Sequence, residues 1–519
     1  MSLQFKRHYF LLVLLALITL GLLIGLGGQR ITAYTVRGGQ VAEQTANIAG
    51  QVDLFDETVV HSIQILIPDA DYQQMLTTYR QTGLKEYFHA DVIIDGARVD
   101  NVGLRLKGNA SLRSAVGGGP GGFGQPGGGG NFPQFNPQNQ PRFNRQNQPQ
   151  FNPQDRQQNN PQNRQPFNPQ NQPNNGAQPA LPGGGAQPGF GDVQSGQTGD
   201  VTKIPLMIKF DEFVSGQRYQ GYALLAIRTY GVQNDAAMLH EPITNDVFRA
   251  VGLPATRTAF TGMALNDAPE KLYTISEVID ETYLSRYFYV ADGVLYKAEV
   301  GANLNYLGED PSAYARSFTQ QTRQNDADLG PLIDFTRFLS QADDATFEKE
   351  LPDRLDVDAF AGYLAINSLL VNNDSIIGMD NNYYLYYDDI SGRFTLMMWD
   401  ANESLGKMGG GQATNFDIYN LSQSAMGRRM GGPNSLVTRF MANATFKALY
   451  EEKVKQVYQT AFASGAMTGQ VEKYAALVRQ ANAERDLVGS ANYERAVNKV
   501  LDFITQRGQY LSTLPLLSQ

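Results

Sequence analysis

The chain contains no cysteine. That absence excludes disulfides, thiolate nucleophiles, Cys-ligated zinc and iron–sulfur clusters together. Histidine is scarce as well, present only at His8, His61, His89 and His240, so a His-rich metal site is excluded too. Any metal must then be held by carboxylates, amides and water, the ligand set of a hard ion such as Mg²⁺ or Mn²⁺. Basic residues are outnumbered, with 42 Lys and Arg against 51 Asp and Glu and a net charge of −9. Nucleic acid is therefore excluded as the main partner, because a phosphate backbone demands a basic surface. A nucleotide needs only a few local cations and a metal, so charge removes one class without choosing among the rest.

Long apolar runs are also missing, with one exception. Lys6, Arg7 and His8 precede an uncharged stretch from Tyr9 to Gly28, long enough to span about 30 Å of hydrocarbon as a helix. Residues 1–30 are expected to be a cytoplasmic stub and transmembrane anchor, the basic flank keeping the N-terminus inside and the body outside. The alternative is a cleaved signal peptide, for which Ile31-Thr32-Ala33 is a poor cleavage site. Residues 31–60 read as a polar stalk.

The body divides into three. Residues 61–115 open it: Ile63, Ile65 and Ile67 alternate as in a strand, Asp69–Thr82 has helical spacing, and Ala90–Ile94 and Val102–Leu106 form a hairpin across Asp95-Gly96. Residues 116–200 are a Gly/Pro/Gln/Asn-rich insertion with Phe-Asn pairs at Phe135, Phe143, Phe151 and Phe167. Such a composition buries too little apolar surface to offset chain entropy, so disorder is expected. Residues 201–510 resume an α+β pattern. Strands are read at Lys203–Phe210, Gly221–Arg228, Thr258–Leu265, Lys271–Val278 and Val294–Lys297. Helices are read at Ala236–Val251, stopped by Gly252-Leu253-Pro254, at Tyr283–Tyr289 and over 356–371. A tight hairpin joins Tyr383–Tyr387 to Phe394–Trp399, and helical sequence runs from Ser435 to the end.

Chemistry concentrates between Asp374 and Asp400. Asp374 sits just past an apolar helix, Asn381 and Asn382 immediately precede the hairpin, and Asp400 ends its second strand with Asn402 and Glu403 behind it. A hairpin returns the chain to its start, so Asn382 and Asp400 emerge together beside Asp374. Helix, Asp, Asn, hairpin, Asp is also the order of parts in protein kinases. Phosphoryl transfer needs an acceptor for the hydroxyl proton and oxygen ligands for the ions that neutralise the phosphates. Loop Asp and Asn residues also serve turns, so the pattern alone leaves both readings open.

The block NYYLYYDDISGRFTLMMWDANESLG resembles the Asn-Tyr-hairpin-Trp-Asp block of the CotH kinase family, atypical kinases first known from bacterial spore coats. LRLKGNAS, KIPLMIKFDEF, MLHEPITNDVFRAVGLP and LYTISEVIDETYLSRYFYVADGVLYKAE are similar to it as well, so the resemblance covers roughly residues 60–115 and 200–510. It implies a two-lobed atypical protein-kinase-like fold with C-terminal helices. It also implies use of ATP with Mg²⁺ or Mn²⁺, and a Ser/Thr protein acceptor at a surface or coat. On that resemblance Asp374 is the catalytic base and Asn382 and Asp400 are metal ligands. Asn402 stands where the family often carries Asp, which removes a negative charge near the ion. Asp380 and Asn381 are alternative ligands. For the nucleotide, Lys297 is preferred over Lys209, which is paired with Glu241 in a kinase-like slot, and over Lys203. Glu277 is expected to pair with a lysine or to line the pocket. The loop Lys107–Ser111 is a candidate phosphate cover, and the Gly/Met loops 406–411 and 426–432 a candidate flap. Trp399 is expected in the core. An idle surface protein and a metal-dependent enzyme acting on an envelope polymer are the alternatives.

Overall fold

The computed structural model describes residues 46–108, 112, 116, 204–229, 236–289, 293–324, 326–407, 410–421 and 434–518. The expected anchor, residues 31–45 of the expected stalk and the insertion beyond Val116 lie outside these residues. The rest of the expected stalk is no polar tether, because Asn47–Ile48 pairs with Arg218–Tyr219 and Leu54 and Phe55 are buried in the barrel core. The chain divides into two units, Met1–Ala46 and Asn47–Gln519, and the account below concerns the second. Among the described residues no helix is long and apolar enough to cross a membrane.

The strands are β1 (Asn47–Ile48), β2 (Val60–Leu66), β3 (Phe88–Ile94), β4 (Ala97–Leu106), β5 (Leu206–Lys209), β6 (Arg218–Tyr219), β7 (Leu224–Arg228), β8 (Thr258–Leu265), β9 (Lys271–Ser276), β10 (Val294–Ala298), β11 (Phe318–Gln320), β12 (Tyr383–Asp388) and β13 (Arg393–Met398). Seven of them close a barrel in the order β2-β3-β4-β5-β7-β9-β8, sealed where β2 pairs parallel with β8. The alternation read in β2 turns His61, Ile63 and Ile65 inward, where they meet Val92, Leu104, Ile208, Ile227 and Ile275. The β3–β4 turn has Asp95 and Gly96 at φ of 49° and 82°, the double left-handed geometry that two-residue hairpins favour. Leu112 and Val116 are buried in the same barrel core, so folded chain reaches the first residue of the expected insertion.

The helices are α1 (Asp69–Thr82), α2 (His240–Ala250), α3 (Glu281–Tyr287), α4 (Gly330–Gln341), α5 (Asp344–Glu350), α6 (Val357–Leu369), α7 (Ser435–Ala442), α8 (Ala444–Val457), α9 (Ala466–Arg485) and α10 (Ser490–Ser512). Helix α2 starts four residues later than expected. Met238 sits at a φ of 54°, and Pro242 then lies in the first turn, where a missing N–H costs nothing. A second sheet, in the order β11-β10-β12-β13, packs with α6 and the C-terminal helices around a separate, larger core. Mixed α and β is thus observed as expected, with β11, α4 and α5 appearing in residues 299–355, which the sequence pattern left blank. They are three, 12 and seven residues long, and the shortest offer few periods to read.

Candidate active site

Helix α6 positions the first member of the site. Asp356 caps its N-terminus by accepting from Ala359 N, and Phe360 through Leu369 are all buried. Burial of every face over these residues leaves no solvent side on which the C-terminal part of the helix can shift. The chain leaves through Val371 at a φ of 49°, a left-handed conformation that costs a β-branched residue about 1–3 kcal/mol. Buried Asn372 donates Nδ2 to Asn367 Oδ1 at 2.8 Å, which ties the exit back to the helix.

Asp374 then meets the hairpin mouth. Its two carboxylate oxygens accept from Asn381 Nδ2 at 3.0 Å and Asn382 Nδ2 at 2.8 Å. Asn382 Nδ2 lies 3.5 Å from the main-chain oxygen of Asp400, and Trp399 N donates to Asn382 O at 3.1 Å. Asp374, Asn382 and Asp400 are therefore brought together. Asp380, Asn382, Asp400 and Leu405 all have positive φ, so strained backbone collects around this mouth, as it does at functional sites.

Two cations face Asp400: Arg228, to which the sequence assigns no role, and Lys107, the first residue of the candidate phosphate cover. Arg228, the last residue of β7, pairs through Nη1 with Asp400 Oδ1 and through Nε with Glu241 Oε2 at 3.0 Å. Lys107, just past the end of β4, holds Nζ 4.0 Å from Asp400 Oδ2. Both cations lie over the Trp399 ring, at 4.7 Å for Arg228 and 5.1 Å for Lys107. Lys107, Arg228, Glu241, Thr274, Asp400 and Asn402 line one cleft. The local signal is weak: Leu-Leu-Ala-Ile-Arg and Leu-Arg-Leu-Lys are strand ends that finish on a base, but so is Leu-Met-Ile-Lys, whose Lys209 pairs with Glu212.

Electrostatics divides the two acids. Burial alone would lift the Asp400 carboxyl, but Arg228 and then Lys107 outweigh it and hold the group below its usual range. Burial raises Asp374 to about 7; the Asn381 hydrogen bond opposes this, and the nearby charges of Asp400 and Glu403 add to it. One carboxylate is thus kept ionised and the other poised to exchange a proton near neutrality, the separation that acid–base chemistry uses. Burial lowers Lys107, and the Arg228 charge lowers it further.

Several expected roles are corrected. Lys209 pairs with Glu212 at 2.7 Å and lies over Tyr87, while Glu241 pairs with Arg228 instead. Lys209 is only partly buried and has its partner three residues along on its own strand end. Glu277 takes both Arg286 nitrogens, at 2.6 and 2.5 Å, and also accepts from Arg257 N. It is a buried latch between β9 and α3, with no lysine. Asp380 accepts from Asn434 Nδ2 at 2.8 Å, whereas Asn381, like Asn382, donates Nδ2 to Asp374 and keeps its amide oxygen. Lys297, opposite Tyr384 on the sheet, is 3.5 Å from Glu299 yet close enough to help depress Asp400. Trp399 is buried, edge-on to Tyr384 at 5.9 Å, as expected. Lys203, Asn109–Ser111 and the loop 426–432 lie outside the described residues.

The donor chemistry suits a hard divalent ion. Asp400 supplies a carboxylate, and Asn382 and Asn402 supply amide oxygens at the same mouth. Among the described residues no three His, Asp or Glu side chains converge as a cage. Buried Arg228 Nη2 has no hydrogen-bond partner among the described residues, while Nε lies in the ion pair with Glu241.

Comparison with known proteins gives three findings. The family described as CotH kinase protein matches residues 191–511. No curated protein sequence matches the chain. Among solved structures, the Helicobacter pylori proinflammatory kinase CtkA is similar at a TM-score of 0.28 and 10% identity, covering 56% of this chain and 89% of that one. The Shewanella oneidensis HipA–HipB–operator DNA complex is similar at 0.27 and 9%, covering 56% and 58%. The match spans more than half the chain and includes the Asp374–Asp400 mouth, α2 with Glu241, and β7 with Arg228. This chain belongs to the CotH kinase protein family.

Proposed function

We propose that the protein transfers the γ-phosphoryl group of ATP to the hydroxyl of a Ser or Thr side chain. The observation that carries this reading is the meeting of Asp374, Asn382 and Asp400 across a cleft from Lys107 and Arg228. A hydroxyl oxygen attacks the γ-phosphorus, its proton passes to Asp374, and the bond to the ADP oxygen breaks. Lys107 and Arg228 bind phosphate oxygens, with Arg228 Nη2 the unspent donor. Lys297, at the edge of the same field, is the third cation. Asp400 and the amide oxygens of Asn382 and Asn402 would hold Mg²⁺ or Mn²⁺, which neutralises phosphate charge when bound. Trp399 lies beneath the cations and keeps water from their inner faces, which strengthens their pull on phosphate.

The charge-free run Tyr9–Gly28 behind Lys6 and Arg7 supports an anchored chain with its body outside the membrane. The acceptor is then a surface or coat protein. The purified full chain with labelled ATP and Mn²⁺ tests the activity. Label should pass to the chain itself or to a generic protein acceptor, and ATP with Mn²⁺ should raise the melting temperature. Neither effect, in protein that folds, would leave the idle surface protein as the better reading.

A further inference from the structure

Arg507 is fully buried in the last third of α10, and its side-chain hydrogen bonds go to main-chain carbonyls. Nε donates to Leu369 O at 3.1 Å and Nη2 to Ser368 O at 3.1 Å. Nη1 donates to Thr414 O at 3.1 Å and Phe416 O at 2.7 Å. Among the described residues no carboxylate forms an ion pair with it. Burial draws the guanidinium down to about 10, so it stays charged at neutral pH. The Tyr510 ring lies 5.3 Å from the guanidinium and the Asp417 charge favours its ionised form, but its hydrogen bonds go to carbonyls, a costly way to hold a buried charge. Two of them sit on the last turn of α6, where Leu369 is two residues before the strained Val371 and five before Asp374.

The carbonyls of a helix C-terminus carry partial negative charge and lack intrahelical donors. Arg507 supplies both the cation and the donors. Its fork reaches a second segment as well, residues 414–416, which follow the Asp400 strand and the turn where Gly406 N donates to Leu370 O at 3.2 Å. The helix exit carrying Asp374 and the segment downstream of Asp400 are thereby joined through one side chain.

We propose that Arg507 is a positioning residue for phosphoryl transfer, locking the α6 exit that carries Asp374 to the segment that follows Asp400. It rests on the function proposed above, and it acts through Asp374 without touching nucleotide or acceptor. Lysine cannot replace it, because three donors on one point cannot reach two segments that a planar fork spans.

Full-length Arg507→Lys tests this against wild type at a temperature where both are folded. The rate constant should fall on the order of 10- to 100-fold, the usual effect of misplacing a reacting group by about 1 Å, while KM for ATP stays within about threefold, because Lys107 and Arg228 are untouched. An unchanged kcat per folded molecule would overturn the proposal, even with a lowered melting temperature, since that is a structural role alone. Native-state hydrogen exchange on wild type decides the matter if the variant does not fold or if no transfer is ever detected. Amides of residues 372–376 and 414–416 should open together with α10 as denaturant rises. Independent opening of the two segments would overturn the proposal without bearing on whether the protein is a kinase.

Discussion

At the scale of single residues, the site is a set of charges that fold against their own preference. Asp374 illustrates this. Its carboxyl is raised to about 7 by burial and by the charges of Asp400 and Glu403, against about 3.9 in an unfolded chain. The folded state therefore binds more proton than the unfolded state between those values. Stability contributed by this group is fully present at low pH and is lost as pH rises from about 4 to 7. Asp374→Asn should accordingly melt higher than wild type at pH 8 with a chelator present, and the gap should close toward pH 4; a constant gap across that range would refute the assignment. The same variant should lose transfer by about 10²-fold or more while still binding ATP. Lys107 gives the mirror case, since its lowered pKa means that the fold disfavours its charge below the unfolded value. Lys107→Met should be neutral or stabilising at pH 7, because it removes a charge that burial disfavours and Arg228 still pairs with Asp400. It should yet weaken ATP by about tenfold in a Trp399 fluorescence titration, a clean probe because the chain has one tryptophan. The acids were legible in the sequence because hairpin geometry is local: Asn382 and Asp400 must emerge together whatever else the chain does. Of the cations, Lys107 was legible only as the start of a candidate phosphate-cover loop and Arg228 not at all, because both reach the mouth through barrel closure, a long-range event that no local spacing encodes. Lys209 looked right for the same reason, as the correct strand type with no way to tell which end faced the cleft.

At the scale of elements, α6 and α10 divide the work of holding Asp374. The Asp356 cap secures the start of α6, and Arg507 secures its end. Asp356→Ala should cost about 1 kcal/mol of stability, the usual worth of a helix cap, measured by chemical denaturation, and leave kcat per folded molecule unchanged well below the melting point. A fall in kcat comparable to that of Arg507→Lys would mean that the whole helix, not its exit, sets Asp374. The elements themselves were largely readable. The β3–β4 hairpin announced itself by Asp95-Gly96, α1 by its spacing, and the β12–β13 hairpin by two aromatic and apolar runs on either side of the polar turn at Asp388–Gly392. What the sequence hid was closure. Each barrel strand is a short apolar run, and nothing within a run says that β2 and β8, nearly 200 positions apart, will pair in parallel. The short β11 and α5 were invisible because they hold their shape through tertiary contacts: Phe347 of α5 packs on Phe338 and Phe446, and β11 borrows its geometry from β10.

At the scale of the whole molecule, the position of the insertion links composition to function. Lys107 N donates to Pro205 O at 2.9 Å, so β4 and β5 are joined by a main-chain hydrogen bond immediately before the insertion departs and after it returns. The cleft cation Lys107 therefore sits at the root of the longest low-complexity segment in the chain. Leu112 and Val116 are buried in the barrel core, and Arg80 Nε donates to Val116 O at 3.2 Å, so the folded body claims the first residues of the loop. The rest is separable on this geometry. Replacing residues 118–199 with about eight Gly and Ser residues shortens the loop several-fold, and the logarithmic law for closing a flexible chain lowers the closure cost by about 1–2 kcal/mol. The shortened protein should melt no lower than wild type, and its ATP affinity and kcat toward a generic acceptor should stay within about twofold, because Lys107, Arg228, Asp374 and Asp400 keep their strands and their roots. A lower melting point would show that the segment packs on the body. An unchanged melting point with lost transfer to a generic acceptor would place the insertion in acceptor capture, since the nucleotide side of the cleft is anchored by the β4–β5 pairing that the deletion leaves intact.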